Sequence, residues 1–515
     1  MKMIYNVKDK PKFGQLIIFA FQQLLAIMAA TIAVPMIVGN GMSTSAALFG
    51  AGAGTLIYVL FTKAKSPVFL GSSFAFLGSM ATAFAGAVTS SALGYLGLII
   101  GAIFAGLVYV VIAVIIKFAG VKWISKIMPS VVIGPIVAII GLSLAGNAIG
   151  DLSTVNYTEN LDVNDLTIVE QVTTIDGQQA EKALIAVDEN NMPIDSISVI
   201  ADTETGKPVA ASTKPGSSYI AVICGLVTLA VVMLCSVYGK KMLKLIPFII
   251  GILAGYLVAT CFFFIGKATG NSALMIIDYS ALINNFKDIG FGSFIAVPDF
   301  AFIKAFGAFG ELSGAYVGTI AVAYIPVAFV VFAEHIADHK NLSSIIGQDL
   351  LEDPGLSCTL LGDGIGSMTG AFFCGCPNTT YGESIGCVAI TKNASVATII
   401  VTACEAIIIS FISPFVAFLS TIPNSVMGGV CIALYGFIAV SGLKMIQNVN
   451  LDDNRNLFTA SVILIAGVGG FALNFGGIKL TTVACALILG ILTNIMLGKK
   501  STNEESTKKT SKNKK

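Results

Sequence analysis

Apolar runs about twenty residues long recur from one end of this chain to the other, the length a helix needs to cross the hydrocarbon core of a bilayer. Hydrophobic residues fill 55% of the 515 positions and charged ones only 11%, less than half the roughly 25% of a soluble domain. Too few polar side chains are present to cover so much apolar surface in water. The chain therefore reads as an all-α polytopic membrane protein. Fourteen segments fit: 14–38, 44–62, 67–85, 92–117, 126–149, 217–238, 245–266, 315–337, 356–375, 378–394, 396–419, 423–444, 456–473 and 478–498. Two of them, 67–85 and 378–394, are short and interrupted by polar residues.

Lysine and arginine in the short loops set the direction. Lys10 and Lys12, Lys63 and Lys65, Lys117, Lys122 and Lys126, Lys240, Lys241 and Lys244, Lys340, Lys392, Lys444, Arg455 and Lys499 all fall on one side if fourteen segments span. Both termini are then expected in the cytoplasm. The resulting layout is a cytoplasmic N-terminus (1–13), spans 1–5 (14–149), an extracellular polar loop (150–216), spans 6–7 (217–266), an extracellular connection (267–314), spans 8–14 (315–498) and a basic cytoplasmic tail (499–515). No cleavable leader is expected at the N-terminus. The loop Asp151–Ser217 carries twelve acidic residues against Lys182, Lys207 and Lys214, with strand-like runs such as "SISVIAD". Partial β order is expected there. A net charge of +1 gives no reason to expect a nucleic-acid partner. The ten cysteines sit mostly in apolar segments, without a metal-binding spacing, and read as packing residues.

The two halves echo each other. "LFGAGAGTL" (Leu48–Leu56) opens the second span and "LLGDGIGSM" (Leu360–Met368) the ninth, each with glycine at alternate positions. Small residues so spaced let membrane helices approach closely. "MPSVVIG" (Met128–Gly134) is matched by "IPNSVMG" (Ile422–Gly428), and the broken third span, with Pro67 and "LGSSFAF", by the broken tenth, with Pro377 and "NTTYGES". Seven spans per copy is an odd number, so the second copy is inverted. Interrupted helices at matching positions of inverted repeats point to a transporter binding site near the midplane. Unpaired backbone is tolerated there because it lines a cavity, and half-helix ends offer N–H donors and dipoles.

Ionisable groups within a span are costly, about 2.5–3.5 kcal/mol each on insertion scales, and mark function. Glu334 follows the apolar run "VAYIPVAFVVFA", and Glu383 lies in the broken tenth span. The simpler readings are that Glu334 marks a helix end and that Glu383 caps a half-helix. Asp338 is four residues after Glu334 and shares its helix face; His335 and His339, the only histidines, are about 100° and 140° away by helix geometry. A carboxylate beside a second titratable group in a poorly hydrated cavity is suited to carrying a proton. Glu405, in the eleventh span, reads as an interior hydrogen-bonded residue. No Ser/His/Asp set, metal cluster or phosphate loop points to an enzyme, and no cofactor is implied.

The stretches "AEHIADHKNLSSIIGQDLLEDPGL" (Ala333–Leu356), "PNTTYGESIGCVAIT" (Pro377–Thr391), "YGFIAVSG" (Tyr435–Gly442) and "LGSSFAF" (Leu70–Phe76) resemble the nucleobase transporter family of uracil and xanthine permeases. The resemblance covers about residues 14–498; the 151–217 loop departs from it in length. It implies two inverted seven-span repeats, with short antiparallel strands in spans 3 and 10. A core domain would comprise spans 1–4 and 8–11, and a gate domain spans 5–7 and 12–14. It also implies that Glu334 and Glu383 hold the base, that the backbone N–H groups of Phe74 and Gly382 contact it, and that Tyr435 approaches it from the gate side. The partners it implies are a nucleobase, protons, the bilayer and, as an option, a second copy of the chain. The setting would be a bacterial plasma membrane.

The chemistry fits independently. Uracil offers ring N–H donors and two carbonyl acceptors, which two carboxylates and two backbone amides complement. Phe74 and Tyr381 offer surface to a flat ring. "YGES" with Glu383 resembles the uracil type, whereas Asp338, where uracil-type members usually carry histidine, is more like the purine branch. Uracil is the expected substrate, with xanthine or another oxopurine as the alternative. Proton symport by Glu334, with Asp338 or His339 in its network, is the expected coupling; an anion channel or exchanger on the same scaffold fits two glutamates poorly.

Overall fold

A computed structural model describes residues 3–120, 129–153, 156–161, 167–175, 178–187, 193–201, 208–215, 218–240, 242–447, 449–475 and 478–497. The basic tail 499–515 and the expected topology residues Lys122, Lys126 and Lys241 lie outside the described residues. The first half contains α1 (Phe13–Val38), α2 (Thr44–Phe61), β1 (Leu70–Ser72), α3 (Leu77–Gly86), α4 (Ser91–Ala119), α5 (Ser130–Ser143) and α6 (Ala145–Ser153). The polar loop follows with β2 (Asn156–Leu161), β3 (Thr167–Ile175), β4 (Gln178–Val187), β5 (Pro193–Ala201) and β6 (Pro208–Pro215). Then come α7 (Ser218–Tyr238), α8 (Pro247–Thr269), α9 (Gly314–Ile346), α10 (Leu356–Cys374), β7 (Asn378–Thr380), α11 (Gly382–Thr391) and α12 (Val396–Ser410). The chain closes with α13 (Asn424–Ile446), α14 (Asn454–Val468), the hairpin β8–β9 (Leu473–Phe475, Ile478–Leu480) and α15 (Thr482–Leu497).

Eight helices among the described residues are long and apolar enough to cross a membrane, and four of the remaining expected spans hold shorter apolar helices. The protein is thus a mostly helical, multi-pass membrane protein. Sequence chemistry sets several ends. Ser43, Ser90 and Ser313 accept hydrogen bonds from the amides of Ala46, Leu93 and Tyr316, three residues into α2, α4 and α9. Gly347 and Gly375, at positive φ, terminate α9 and α10.

Helix α9 extends nine residues beyond the expected 315–337 span, to Ile346. Hydropathy misses this part because Lys340, Asn341 and Ser344 are polar and exposed, while one face of the helix stays packed: His339 and Leu342 are fully covered. Glu334 is therefore mid-helix, twelve residues before Ile346, and does not mark a helix end.

The glycine runs do what their spacing suggests. A Cβ on Gly50 would lie 2.9 Å from the Gly370 carbonyl oxygen, and one on Gly54 2.7 Å from that of Gly366. Helices α2 and α10 are thus in backbone contact along this seam. The polar loop folds as a five-stranded antiparallel sheet in the order β2-β6-β5-β4-β3. The 267–314 connection is pinned to the helical body by Lys304, whose ammonium donates to the Gly41 carbonyl at 2.8 Å and pairs with Asp299 at 2.5 Å. Glu311 accepts from the hydroxyls of Thr89 and Ser90, which hold its carboxyl below the usual range.

Candidate functional site

The two broken segments meet. Strands β1 and β7 pair antiparallel, with Leu70 opposite Thr380, Gly71 opposite Thr379 and Ser72 opposite Asn378. The ladder continues through Ser73 N–H to the Pro377 carbonyl (2.9 Å) and Tyr381 N–H to that of Phe69 (3.2 Å). Inside a membrane every strand edge needs a partner. Helix α2 supplies one for β1, where the Thr55 hydroxyl accepts from Leu70 N–H at 2.9 Å, and it also anchors β7, since the Gly50 carbonyl accepts from the Asn378 side-chain amide at 2.9 Å. Gly71 is required at its place, since a Cβ there would stand 2.3 Å from the Tyr381 ring. The Tyr381 hydroxyl donates to the Ser72 carbonyl at 2.8 Å. That hydroxyl is thereby committed to the strand pair.

Each strand leads into a helical turn, Phe74–Phe76 and then α3 on one side, α11 on the other. The first N–H groups of a helix have no intrahelical partner, so both turns bring donors and positive dipole ends to one place. There the protein encloses a cavity of about 360 Å³, lined by Ser73 and Phe74, Glu334 and Asp338, Thr379 to Glu383, and the apolar faces of α5, α8 and α13. A Cβ on Gly382 would meet nothing within 4 Å, so the missing side chain leaves the cavity open above this amide.

Six of the expected site residues, Phe74, Glu334, Asp338, Tyr381, Gly382 and Glu383, line this cavity. Glu334 and Asp338 face it one helical turn apart, as their spacing predicts. The Thr380 hydroxyl donates to Asp338 Oδ2 at 2.8 Å and ties α9 to β7. Tyr435 is buried behind the wall, its ring edge-on to Phe74 at 6.0 Å. The first turn of α11 is fixed from outside the cavity: Ser384 Oγ accepts from the Gln23 side chain at 2.6 Å and from Phe69 N–H at 3.1 Å.

His339 does not reach the cavity. It is fully buried on the other side of α9, with Nε2 2.6 Å from the Tyr58 hydroxyl and Nδ1 2.8 Å from the His335 carbonyl. His335 faces α10, where Nδ1 lies 2.7 Å from Asp363 Oδ2 and Nε2 3.0 Å from Thr359 Oγ1. Sequence reasoning missed this cluster. Asp363 sits inside "LLGDGIGSM", read for its glycines; the overlooked signal was a carboxylate in an apolar run. Glu405 also departs from expectation: it is half-buried, and its Oε2 has no hydrogen-bond partner among the described residues.

A cavity with carboxylates on two elements and helix N-termini between them can accept hydrogen bonds from ring N–H groups and donate to carbonyls. No lysine or arginine is among its described lining residues. Known proteins share this chain's plan. The xanthine/uracil permease model, described as a permease family, matches residues 14–179 and 194–475. Only 180–193 of the polar loop lies outside the matched ranges, a smaller departure than its length suggested. The uracil permease of Bacillus caldolyticus is 35% identical over 499 residues, spanning 96% of this chain and 95% of that protein. That of Bacillus subtilis (strain 168) is 34% identical over 500 residues, 96% and 95% of the two chains. Among solved structures, the transmembrane domain of the cyanobacterial bicarbonate transporter BicA matches with a TM-score of 0.56 at 12% identity, covering 95% of this chain and 100% of that one. At that identity the likeness is one of fold alone. The chain belongs to the xanthine/uracil permease family.

Proposed function

We propose that this protein is a carrier that imports uracil with protons by alternating access. The observation that carries the reading is the paired arrangement at the cavity: Glu383 on α11 and Glu334 on α9 face one space together with the N-termini of two broken segments. Uracil's ring N–H groups would bind the two carboxylates, and its carbonyls the amides of Phe74 and Gly382. The names of relatives covering 95% of their own length support uracil as the base. Asp338 on the same wall favours xanthine or another oxopurine, the second reading. An inorganic anion suits the site poorly, since carboxylates face it and no cation lines it among the described residues.

The layout we infer is fourteen spans in two inverted repeats, with both termini in the cytoplasm of a bacterial cell. Spans 1–4 and 8–11 form the core, and spans 5–7 and 12–14 the gate. The antiparallel β1–β7 pair, one strand from each half, supports this symmetry. Proton coupling falls to Glu334 with Asp338. A proton on Glu334 lets the loaded core move against the gate; base and proton leave inside, and the empty carrier resets.

Competition binding to the purified protein tests the reading. Uracil is expected to displace labelled uracil ahead of xanthine, hypoxanthine and urate. Preference for xanthine would replace the first reading with the second, and indifference to all four would sink both.

A further inference from the structure

Helix α11 is the element that carries Glu383, and it is only ten residues long. A helix of under three turns is marginal by itself and takes its stability from what it docks on. Its first turn is clamped through Ser384. Its last turn is held by residues 3–9 at the N-terminus.

This segment runs as an added strand along the turn after α11, with Tyr5 bridged in parallel to Asn393. The amides of Ile4 and Tyr5 donate to the Lys392 carbonyl at 2.8 and 3.3 Å, so the strap satisfies a carbonyl at the helix end. Going the other way, Ala394 N–H donates to the Tyr5 carbonyl (2.9 Å), Val396 N–H to that of Val7 (3.1 Å) and Ser395 Oγ to that of Asp9 (2.5 Å). Main-chain pairing of this kind is how an extended peptide gains affinity for an edge. Val7 is 4% exposed and belongs to a core cluster with Val59 of α2, Leu70 of β1, Leu342 of α9, Ile385 and Val388 of α11, and Val396 of α12. Val7 thus shares one apolar cluster with α9 and α11, the helices that carry Glu334 and Glu383.

We propose that residues 3–9 are a positioning strap: by fixing the far end of α11 they set where Glu383 stands in the cavity. Nine residues, about 14 Å of helix, separate Glu383 from Lys392. A rigid short helix passes a tilt at one end to the other, and a misplacement of about 1 Å at a binding group is expensive. The inference rests on the reading of Glu383 as a ligand for the base.

Uracil uptake by the full-length protein tests it, with KM and Vmax separated and surface amount measured. Val7→Asp and deletion of residues 3–9 are expected to raise KM on the order of tenfold, with Val7→Ile at wild-type KM. If the severe variants do not reach the membrane, Ser395→Ala decides, because it removes only the bond to Asp9; KM should rise about threefold. A wild-type KM in correctly inserted variants, or a loss in Vmax alone, overturns the proposal. Glu383→Gln, run alongside, separates the two failures. If it loses uracil while the strap variants keep it, the strap is only structural. If it too keeps uracil, the reading of the site itself fails and takes the strap proposal with it.

Discussion

Gly71→Ala puts the strand pair at the heart of the site under a defined load. A methyl at this position would stand 2.3 and 2.4 Å from two carbons of the Tyr381 ring and 2.8 Å from its hydroxyl oxygen. All three lie below any tolerable contact, and the ring is 4% exposed and hydrogen-bonded to the Ser72 carbonyl. Either β1 moves from β7 or the ring leaves its slot. Overpacking of this kind costs about 1–3 kcal/mol, and losing the tyrosine hydrogen bond adds about 0.5–1.5 kcal/mol. A destabilisation of roughly 2–4 kcal/mol is expected, concentrated next to Gly382 and Glu383. The assay is a detergent thermal-melt comparison at one scan rate, with uracil uptake in parallel. Gly386→Ala is the control: it lies in α11 with nothing within 4 Å of the new methyl, and alanine is the better helix former. The melting temperature should fall and uptake vanish for Gly71→Ala, while Gly386→Ala should melt at or above wild type. Equal melting of the two variants would refute the claimed packing of Tyr381 on Gly71.

Gly382→Ala separates stability from binding. Its methyl has nothing within 4 Å outside its own helix turn and enters the cavity; if uracil binds as proposed, its affinity should drop with the melting temperature unchanged, and unchanged affinity would place the ligand elsewhere. Thr380→Val removes the donor that holds Asp338 Oδ2. A hydrogen bond to a charged group contributes about 1.5–3 kcal/mol, so uptake KM should rise at least about tenfold; a wild-type KM would show that Asp338 need not be held by β7.

The sequence made the multi-pass helical class, the two broken segments and the polar part of the cavity wall legible, for physical reasons. Apolar runs and glycine at alternate positions record the membrane and the close α2–α10 seam directly. The polar breaks at "LGSSFAF" and "NTTYGES" record interrupted backbone. Glu334 and Asp338 share a face because helical periodicity demands it. What depends on tertiary burial was not legible. The polar turns from Asp338 to Ile346 look like the end of a span, yet they continue α9 because His339 and Leu342 are buried against neighbouring elements. His335 was seen to point away from Glu334, but not toward Asp363, since helix geometry gives a direction and not the neighbour found there. The packing of Tyr381 on Gly71 was not legible either, since the two lie about three hundred residues apart in the chain. The strap at residues 3–9 carries no signal beyond a short run of mixed polarity.

Calorimetric titration of uracil into purified wild-type protein and Glu383→Gln tests the central claim most directly. Glutamine keeps the size of the side chain but replaces one of the carboxylate oxygens that the proposed pose sets against a ring N–H with a donor. Loss of a charged hydrogen bond, about 1.5–3 kcal/mol, should weaken binding roughly tenfold to a hundredfold or more, with the protein's melting temperature retained. An unchanged Kd for uracil would contradict the account.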